Sequence, residues 1–173
     1  MTTDGSRFAE VSDRAARRDG VTPPPSGPAL PDGCRLVVSF TYSLLSGWGL
    51  IRNPSAAVWI EDAAGEHVRT LLVQGHDGLR TMAQWYAVLG TTETTTSSTK
   101  PAGSTSIEWD GTDEAGGRVA QGDYHVCIEA SRDNGPRELI RHRLTLGTAR
   151  GTHHLPSAGE LVSAAVFYSG APG

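Results

Sequence analysis

The sequence predicts an all-β protein, an antiparallel β-sandwich of about seven short strands with one short inserted helix. Two observations lead to this prediction. The 173 residues include 21 glycines and 10 prolines, a composition that favours turns and short strands over long helices. Segments rich in Val, Ile, Phe and Tyr also recur between turn residues, which is the pattern of a sandwich.

The N-terminal segment, residues 1–31, is predicted to be a disordered Pro-rich tail, because the run that ends it, TPPPSGPALP, resists both helix and sheet. The folded domain is predicted to span residues 32–170. Its first three strands are CRLVVSFTY, AAVWIED and HVRTLLVQ, and the last two are joined by a tight turn at Ala64-Gly65. The stretch LLSGWGLIRNPS, after the first strand, is interrupted by Gly and Pro and is expected to form a loop or strand edge.

The one predicted helix lies in DGLRTMAQWYAVLG. Apolar residues recur there at helical spacing, namely Leu79, Met82, Trp85, Tyr86 and Leu89. The polar tract TTETTTSSTKPAG is a predicted loop. Four strands are predicted after it: STSIEWD, DYHVCIEASR, RELIRHRLTLG and ELVSAAVFYS. The turns between them contain GTDEAGGRVAQG, DNGP and a loop that reads ARGTHHLPSAG.

Charge and composition exclude several classes of function. The formal net charge is -4 and no basic patch runs through the chain, so nucleic acid is not an expected partner. No run approaches the roughly 20 apolar residues that a transmembrane segment requires. The first 20 residues lack the apolar core of a secretory signal, so the chain start as written predicts a cytoplasmic protein. A disulfide between Cys34 and Cys127 and two free buried thiols both fit the sequence.

The segment WDGTDEAGGRVAQGDYHVCIEA, residues 109–130, concentrates acidic residues and glycines. Its carboxylates could in principle bind calcium: Asp110, Asp113, Glu114 and Asp123. Their spacing does not match the twelve-residue calcium loop, and no bidentate Glu stands at its far end. Asp and Gly also serve turns, so we favour a structural role in which the turn orients Trp109 and Tyr124 into the core.

The same segment resembles the immunoglobulin-like domain of flagellar hook-capping proteins. A broader resemblance, over about residues 34–168, is to the domain of unknown function 2271 family, because AAVWIEDAAGEHVRTL, Trp85, KPAG and WDGTDEAGGRVAQGDYHVCIEASRDNG follow in that family's order. This resemblance implies an immunoglobulin-like sandwich in a periplasmic or secreted protein that serves a membrane-associated redox or metal-handling system. The His of the family's Arg-Glu-His-Gly motif is absent here, where the chain reads Arg132-Asp133-Asn134-Gly135.

A metal ion is the one cofactor that the residues could hold. His153 and His154 adjoin in the predicted loop ARGTHHLPSAG, and His76 could supply a third ligand. Solvated loop histidines fit the same pattern. No nucleophile elbow, phosphate loop or dinucleotide fingerprint occurs. A hydrolase would need two carboxylates in one cleft, and its candidates are Glu61, Asp62 and Glu129.

Loops are expected to form the partner surface, because sandwich domains carry function on their loops. The residues that we predict for it are Trp48, Arg52 and Trp85. Arg69 and Arg132 are predicted to anchor strands through ion pairs, with an anion-binding surface as the alternative.

The preferred hypothesis is a non-catalytic binding or scaffolding module that needs no cofactor. Its expected partner is a protein, such as a membrane redox or transport protein. A metal-binding or electron-transfer protein that uses His76, His153 and His154 is the second hypothesis. A hydrolase with a carboxylate pair is the third.

Overall fold

The computed structural model describes residues 22–43, 53–75, 82–89, 103–132 and 137–170, and within these ranges the chain forms eight strands and one short helix. In chain order they are β1 Leu36–Tyr42, β2 Ser55–Asp62, β3 His67–Gln74, α1 Ala83–Leu89, β4 Gly103–Trp109, β5 Gly122–Ser131, β6 Arg137–Leu146, β7 Gly151–Leu155 and β8 Leu161–Tyr168. The described part of the chain contains no helix long and apolar enough to span a membrane.

The strands form two antiparallel sheets of four, ordered β4-β1-β8-β7 and β3-β2-β5-β6. In the first sheet Val38 of β1 lies opposite both Ile107 of β4 and Val166 of β8. Buried and half-buried residues alternate along β1, because successive side chains of a strand point to opposite faces. The predicted all-β antiparallel sandwich is therefore confirmed, with eight strands in place of about seven.

The inner faces of the two sheets enclose the main core. Val38 from one sheet and Val58 from the other belong to a single buried cluster. Trp109 also lies there, edge-on to Tyr124 with ring centres 6.2 Å apart. The indole nitrogen of Trp109 donates to the Thr112 carbonyl at 2.7 Å, so its polar atom is satisfied although the ring is buried.

A second apolar cluster lies on the outer face of the sheet β3-β2-β5-β6. Helix α1 places Trp85 there beside Trp59 and Cys127, and all three are almost completely buried. Strand β2 is consequently covered on both faces, and its burial no longer alternates. The predicted helix is confirmed over Ala83–Leu89, and the residues predicted for it before Met82 and after Leu89 lie outside the described ranges.

The stretch ARGTHHLPSAG was expected to be a loop, and this expectation is wrong for its central residues. Gly151–Leu155 forms β7 and pairs with β8, with His154 opposite Ala165. A strand of five residues is within the usual range of lengths. The Gly and Pro around it set its ends and do not prevent the pairing.

The end of the predicted tail lies against the sandwich. The Leu30 backbone N–H donates to the Val119 carbonyl at 2.8 Å, and the Leu30 side chain belongs to the main core. Ala29 forms a bridge with Ala120. Ala29 and Leu30, near the end of the predicted tail, thus contact the sandwich, and residues 1–21 lie outside the described ranges.

Candidate functional site

The histidines predicted as metal ligands do not converge on one point. His153 and His154 are neighbours on β7, so their side chains lie on opposite faces of the sheet. His153 is half-buried and His154 is exposed. His76 lies outside the described residues. Across the ranges that the structure describes, no group of three or more His, Cys, Asp or Glu side chains is placed to hold a metal ion.

Of the three residues predicted for a partner surface, Trp85 alone falls within the described ranges. Its side chain is 1% exposed and belongs to the cluster with Trp59, so the indole is not available at the surface. The helical spacing that identified Trp85 reflects packing of α1 on the sheet, and this corrects the expectation for that residue. Trp48 and Arg52 lie outside the described residues.

The first two carboxylates of the acidic segment close turns. Asp110 Oδ1 accepts from the Thr112 backbone N–H at 3.1 Å and from its hydroxyl at 2.7 Å. The hydroxyl bond is the main reason why the pKa of Asp110 is lowered. Asp113 Oδ1 accepts from the Gly117 backbone N–H at 2.8 Å. These are the contacts of Asp residues that stabilise a loop.

The other two carboxylates connect this segment to neighbouring strands. Glu114 accepts from the Thr70 backbone N–H at 2.7 Å, and Asp123 accepts from Arg143 and Thr145 of β6. Arg69 donates to the Asp113 carbonyl at 2.7 Å, which ties β3 to the loop between β4 and β5. The structural role that we favoured for the segment, and the anchoring role of Arg69, agree with these contacts.

A cleft of about 450 Å³ lies beside this loop. Its polar lining consists of Asp62, His67, Asp113, Glu114 and Tyr124, and Pro24 and Pro25 close one side. Asp62 Oδ1 already accepts from the backbone N–H groups of Ala64 and Glu66, at 2.8 and 3.0 Å. The carboxylates of the cleft are therefore used to hold the turns around it.

Two of the carboxylates proposed for a hydrolase, Glu61 and Glu129, lie far apart, and Asp62 follows Glu61 on β2 and so points to the opposite face of the sheet. Glu61 accepts from the indole of Trp59 and from Nε of Arg141, each at 2.9 Å. Glu129 lies opposite Ala57, four residues along β2 from Glu61. At roughly 3.3 Å per residue, Glu61 and Glu129 are about 13 Å apart along the strand, more than the roughly 5–10 Å that a glycosidase pair requires.

Glu129 has a structural partner instead. Its carboxylate accepts from the backbone N–H groups of Gln84 and Trp85, at 3.1 and 2.7 Å, and so holds the first turn of α1 on the sheet. Burial raises the pKa of Glu129, although these two bonds act in the opposite direction.

A buried charged network lies at the end of the sandwich where β1 and β5 finish and β8 begins. Arg132 donates through Nε and Nη2 to the two carboxylate oxygens of Glu160, at 2.9 and 2.7 Å. The Tyr42 hydroxyl donates to the same carboxylate, and burial is the main cause that raises the pKa of this phenol. The expected ion pair of Arg132 is present, and its partner is Glu160.

Glu138 completes this network from β6. It accepts from the backbone N–H groups of Glu160 and Leu161, at 2.6 and 3.0 Å, and burial raises its pKa. These contacts could not be predicted from residue order, because Tyr42 and Glu160 are 118 positions apart. Each charged group here bonds to another part of the protein, so the network joins the ends of four strands, β1, β5, β6 and β8.

The outer face of the sheet β4-β1-β8-β7 carries small polar side chains. Two rows cross it: Ser106, Ser39, Ala165 and His154 form one, and Ser104, Thr41 and Ser163 form the next. These seven side chains line a shallow depression of about 380 Å³, which we call the hydroxyl trough. Ser39 bonds to Ser106 and Thr41 bonds to Ser104, each at 2.9 Å between hydroxyl oxygens.

An exposed apolar residue lies beside the trough. Phe167, 47% exposed, follows Ser163 and Ala165 in the alternation of β8 and so lies on the same outer face. Val162 is the other exposed large hydrophobic side chain of the described residues, at 44%, and it precedes Ser163 on the same strand. The outer face of the other sheet differs, because α1 and the Glu61–Arg141 pair cover it. The sequence analysis missed this site, although the alternating Ser and Thr residues of β1 and β4 are visible in the sequence.

Comparison with known protein families gives one match, to a family described as "Predicted periplasmic protein (DUF2271)", over residues 48–163. The chain belongs to the domain of unknown function 2271 family. The match includes β2 to β7 and the first residues of β8, and so most of both sheets. No curated protein and no solved structure matches the chain, so the likeness to hook-capping proteins is not confirmed.

The description of the domain of unknown function 2271 family supports an extracytoplasmic location. It names no reaction, ligand or partner. The hydroxyl trough is shared between the matched region and β1, since Ser39 and Thr41 lie before residue 48.

Proposed function

We propose that this chain is a non-catalytic binding module of the cell envelope, periplasmic or secreted, that binds a protein partner through the hydroxyl trough. The observation that carries the proposal is the contrast between the two outer sheet faces. One face is covered by α1, whereas the other leaves a depression of about 380 Å³ open beside the exposed side chain of Phe167. A mixture of polar and exposed apolar groups is usual at interfaces between proteins that associate reversibly.

The burial and hydrogen bonds of the carboxylates favour a binding function over hydrolysis. Glu61, Glu129 and Glu160 are all buried, and each accepts hydrogen bonds from another part of the fold. A general acid or base must reach the substrate proton directly or through one water. Glu61, Glu129 and Glu160 are buried in contacts that hold the fold together, so they are poorly placed to exchange a proton with a substrate.

The chemistry of the trough indicates the kind of partner surface. Paired hydroxyls such as Ser39 and Ser106 can both donate and accept, so they suit a strand or loop with amide, hydroxyl or backbone groups. Phe167, exposed on the same face, suits an apolar side chain of that segment. From the family resemblance, we propose that the segment belongs to a membrane-associated redox or transport protein.

Photo-crosslinking in the native cells tests this function. A benzoyl-phenylalanine at position 167 reports on the trough, and the same residue at Ala87, exposed on α1, reports on the opposite side of the sandwich. We expect position 167 to capture a membrane protein that position 87 does not capture. Ser39→Trp, which fills the middle of the trough, should abolish this capture, whereas Ala87→Trp should preserve it.

Equal capture from both positions would contradict the proposal. So would capture from position 167 that survives Ser39→Trp in a protein that still unfolds cooperatively. A third outcome would also contradict the proposal. If position 167 captures no protein although the crosslinker is shown to react, the trough is not the partner surface.

A further inference from the structure

Two histidines that the proposed function does not use meet at one side of the sandwich. His142 lies on β6 and His153 on β7, the edge strands of the two sheets. Their ring centres are 5.5 Å apart, with an angle of 58° between the ring planes. His142 is opposite Val126 and His153 is opposite Val166, and both valines are fully buried. Both histidines therefore belong to inward-facing rows.

The ring of His142 has an unused nitrogen. Its Nε2 is buried and has no hydrogen-bond partner among the described residues. A buried polar atom without a partner costs free energy, so its retention calls for a reason. The neutral imidazole is the form that binds metal ions.

We propose that His142 and His153 form a two-histidine site for a copper ion, with solvent completing the coordination. Imidazole nitrogen suits copper, zinc and nickel, and Cu²⁺ is the divalent first-row ion that a given nitrogen site binds most tightly. Of these ions, copper is therefore the one that a site with only two protein ligands is expected to bind most tightly.

The spacing of the rings agrees with one shared ion. A metal ion bound at about 2.0–2.1 Å from a ring nitrogen lies roughly 3.2 Å from the ring centre. Two rings with centres 5.5 Å apart can then reach the same ion at an angle of about 120°. Gly151, in the same inward row as His153, leaves space beside it, because a Cβ at that position would lie 3.4 Å from Nε2 of His153.

This site retains one of the histidines expected from the sequence and replaces the others. His154, the neighbour of His153, lies on the opposite face of β7 in the hydroxyl trough. His154 therefore provides a matched control, because it directly follows His153 in the sequence but lies on the opposite face of the sheet. The inference does not depend on the proposed partner surface.

Copper titration of the purified, untagged chain tests the site. Calorimetry with CuSO4 in a non-coordinating buffer should show one ion per chain, and ZnSO4 should bind more weakly. His142→Gln and His153→Gln should each weaken copper binding by roughly tenfold or more, because even the loss of an outer-shell partner of a ligand has an effect of this size. His154→Gln should leave the affinity unchanged within about twofold.

A second readout keeps the test independent of how well the variants fold. In the wild-type protein, sub-stoichiometric Cu²⁺ should broaden the imidazole NMR signals of His142 and His153 before those of His154. Copper affinity that His142→Gln does not change, in a protein that is still folded, would overturn the proposal. Broadening that begins at His154 would overturn it as well, and would move the ion to the hydroxyl trough.

Discussion

Arg132 and Glu160 form a charged contact whose side chains are only 2% and 0% exposed. Two such charges lose their hydration on folding, and the favourable geometry of the guanidinium fork offsets this loss only while both partners are present. Tyr42 and the backbone contacts of Glu138 add bonds around the pair. The pair therefore makes the meeting point of four strand ends sensitive to the removal of either partner.

Removal of one partner of this pair should lower the free energy of unfolding much more than removal of both. We expect Arg132→Met to lower the free energy of unfolding by about 3–5 kcal/mol, because it leaves the Glu160 charge buried alone. The double variant Arg132→Met/Glu160→Met should lose clearly less than the single one. The exposed pair of Arg35 and Glu108 provides the control, and Arg35→Met should cost at most about 1 kcal/mol in urea unfolding. Equal losses at the two pairs would refute this account.

His142 should make stability depend on pH. Its pKa is lowered in the folded protein, mainly by burial, so the unfolded chain binds more protons on that ring. Its stabilising contribution is complete above the ordinary histidine pKa of about 6.5 and is lost as the pH falls below that value. The difference in free energy of unfolding between wild type and His142→Gln should therefore decrease from pH 7.5 to pH 5.5.

The difference in free energy of unfolding between wild type and His142→Gln reports on the His142 ring alone. Burial also lowers the pKa of His125, but His125 is present in both proteins and cancels in the comparison. Thr152→Gln, on the exposed face of β7, removes no titrating group and should show no such pH slope. A difference that stays constant, or that increases towards acidic pH, would show that the folded state does not disfavour the charged form of His142.

Helix α1 has only seven residues, and a helix of this length is not stable alone in water. It is held by the burial of Trp85 and by the carboxylate of Glu129, which accepts two of its backbone N–H groups. The helical spacing of Met82 and Trp85 was sufficient to predict the helix. It did not indicate whether the apolar side faces a partner or the protein's own sheet, because both arrangements give the same period.

Loss of the Glu129 carboxylate should release the helix before it unfolds the domain. We expect Glu129→Ala to lower stability by about 2–3 kcal/mol, the usual contribution of hydrogen bonds to a charged group. Hydrogen exchange at the amides of residues 83–89 should accelerate more than exchange in β2. Glu129→Gln retains one acceptor oxygen and should give a smaller effect, and Glu108→Ala, at an exposed site, should change neither.

At the scale of the whole molecule, the sequence predicted the elements better than their contacts. Segments rich in strand-forming residues and bounded by turn residues were visible for seven of the strands, whereas β7 was not recognised because it has only five residues, begins with Gly and is followed by Pro. The pairs Tyr42–Glu160 and His142–His153 were not predictable. They depend on which strand ends meet, and the antiparallel order β4-β1-β8-β7 could not be read from residue types. The same reason explains why the hydroxyl trough, built from four strands, was not predicted.

The two cysteines lie on opposite sides of one sheet. Cys34 belongs to the main core and Cys127 to the cluster under α1, and both are free and buried. A disulfide requires Cα atoms within about 7 Å, so this pair cannot form one in the folded state. Thiol titration should detect two reactive groups after denaturation and almost none before it. The melting temperature should be the same with and without reductant, and a drop on reduction would contradict this arrangement.

The position of β1 between β4 and β8 determines when this protein can fold. The backbone N–H of Arg35 donates to the Ser169 hydroxyl, and these two residues are 134 positions apart. Contacts between distant parts of a chain close large loops and make folding slow, commonly in milliseconds to seconds for β-sandwiches. A nascent chain that has not yet reached residues 161–168 has β1 but not its central neighbour, and Val38 and Phe40 remain exposed to association with other chains. Folding of this sheet therefore has to wait until β8 has been synthesised.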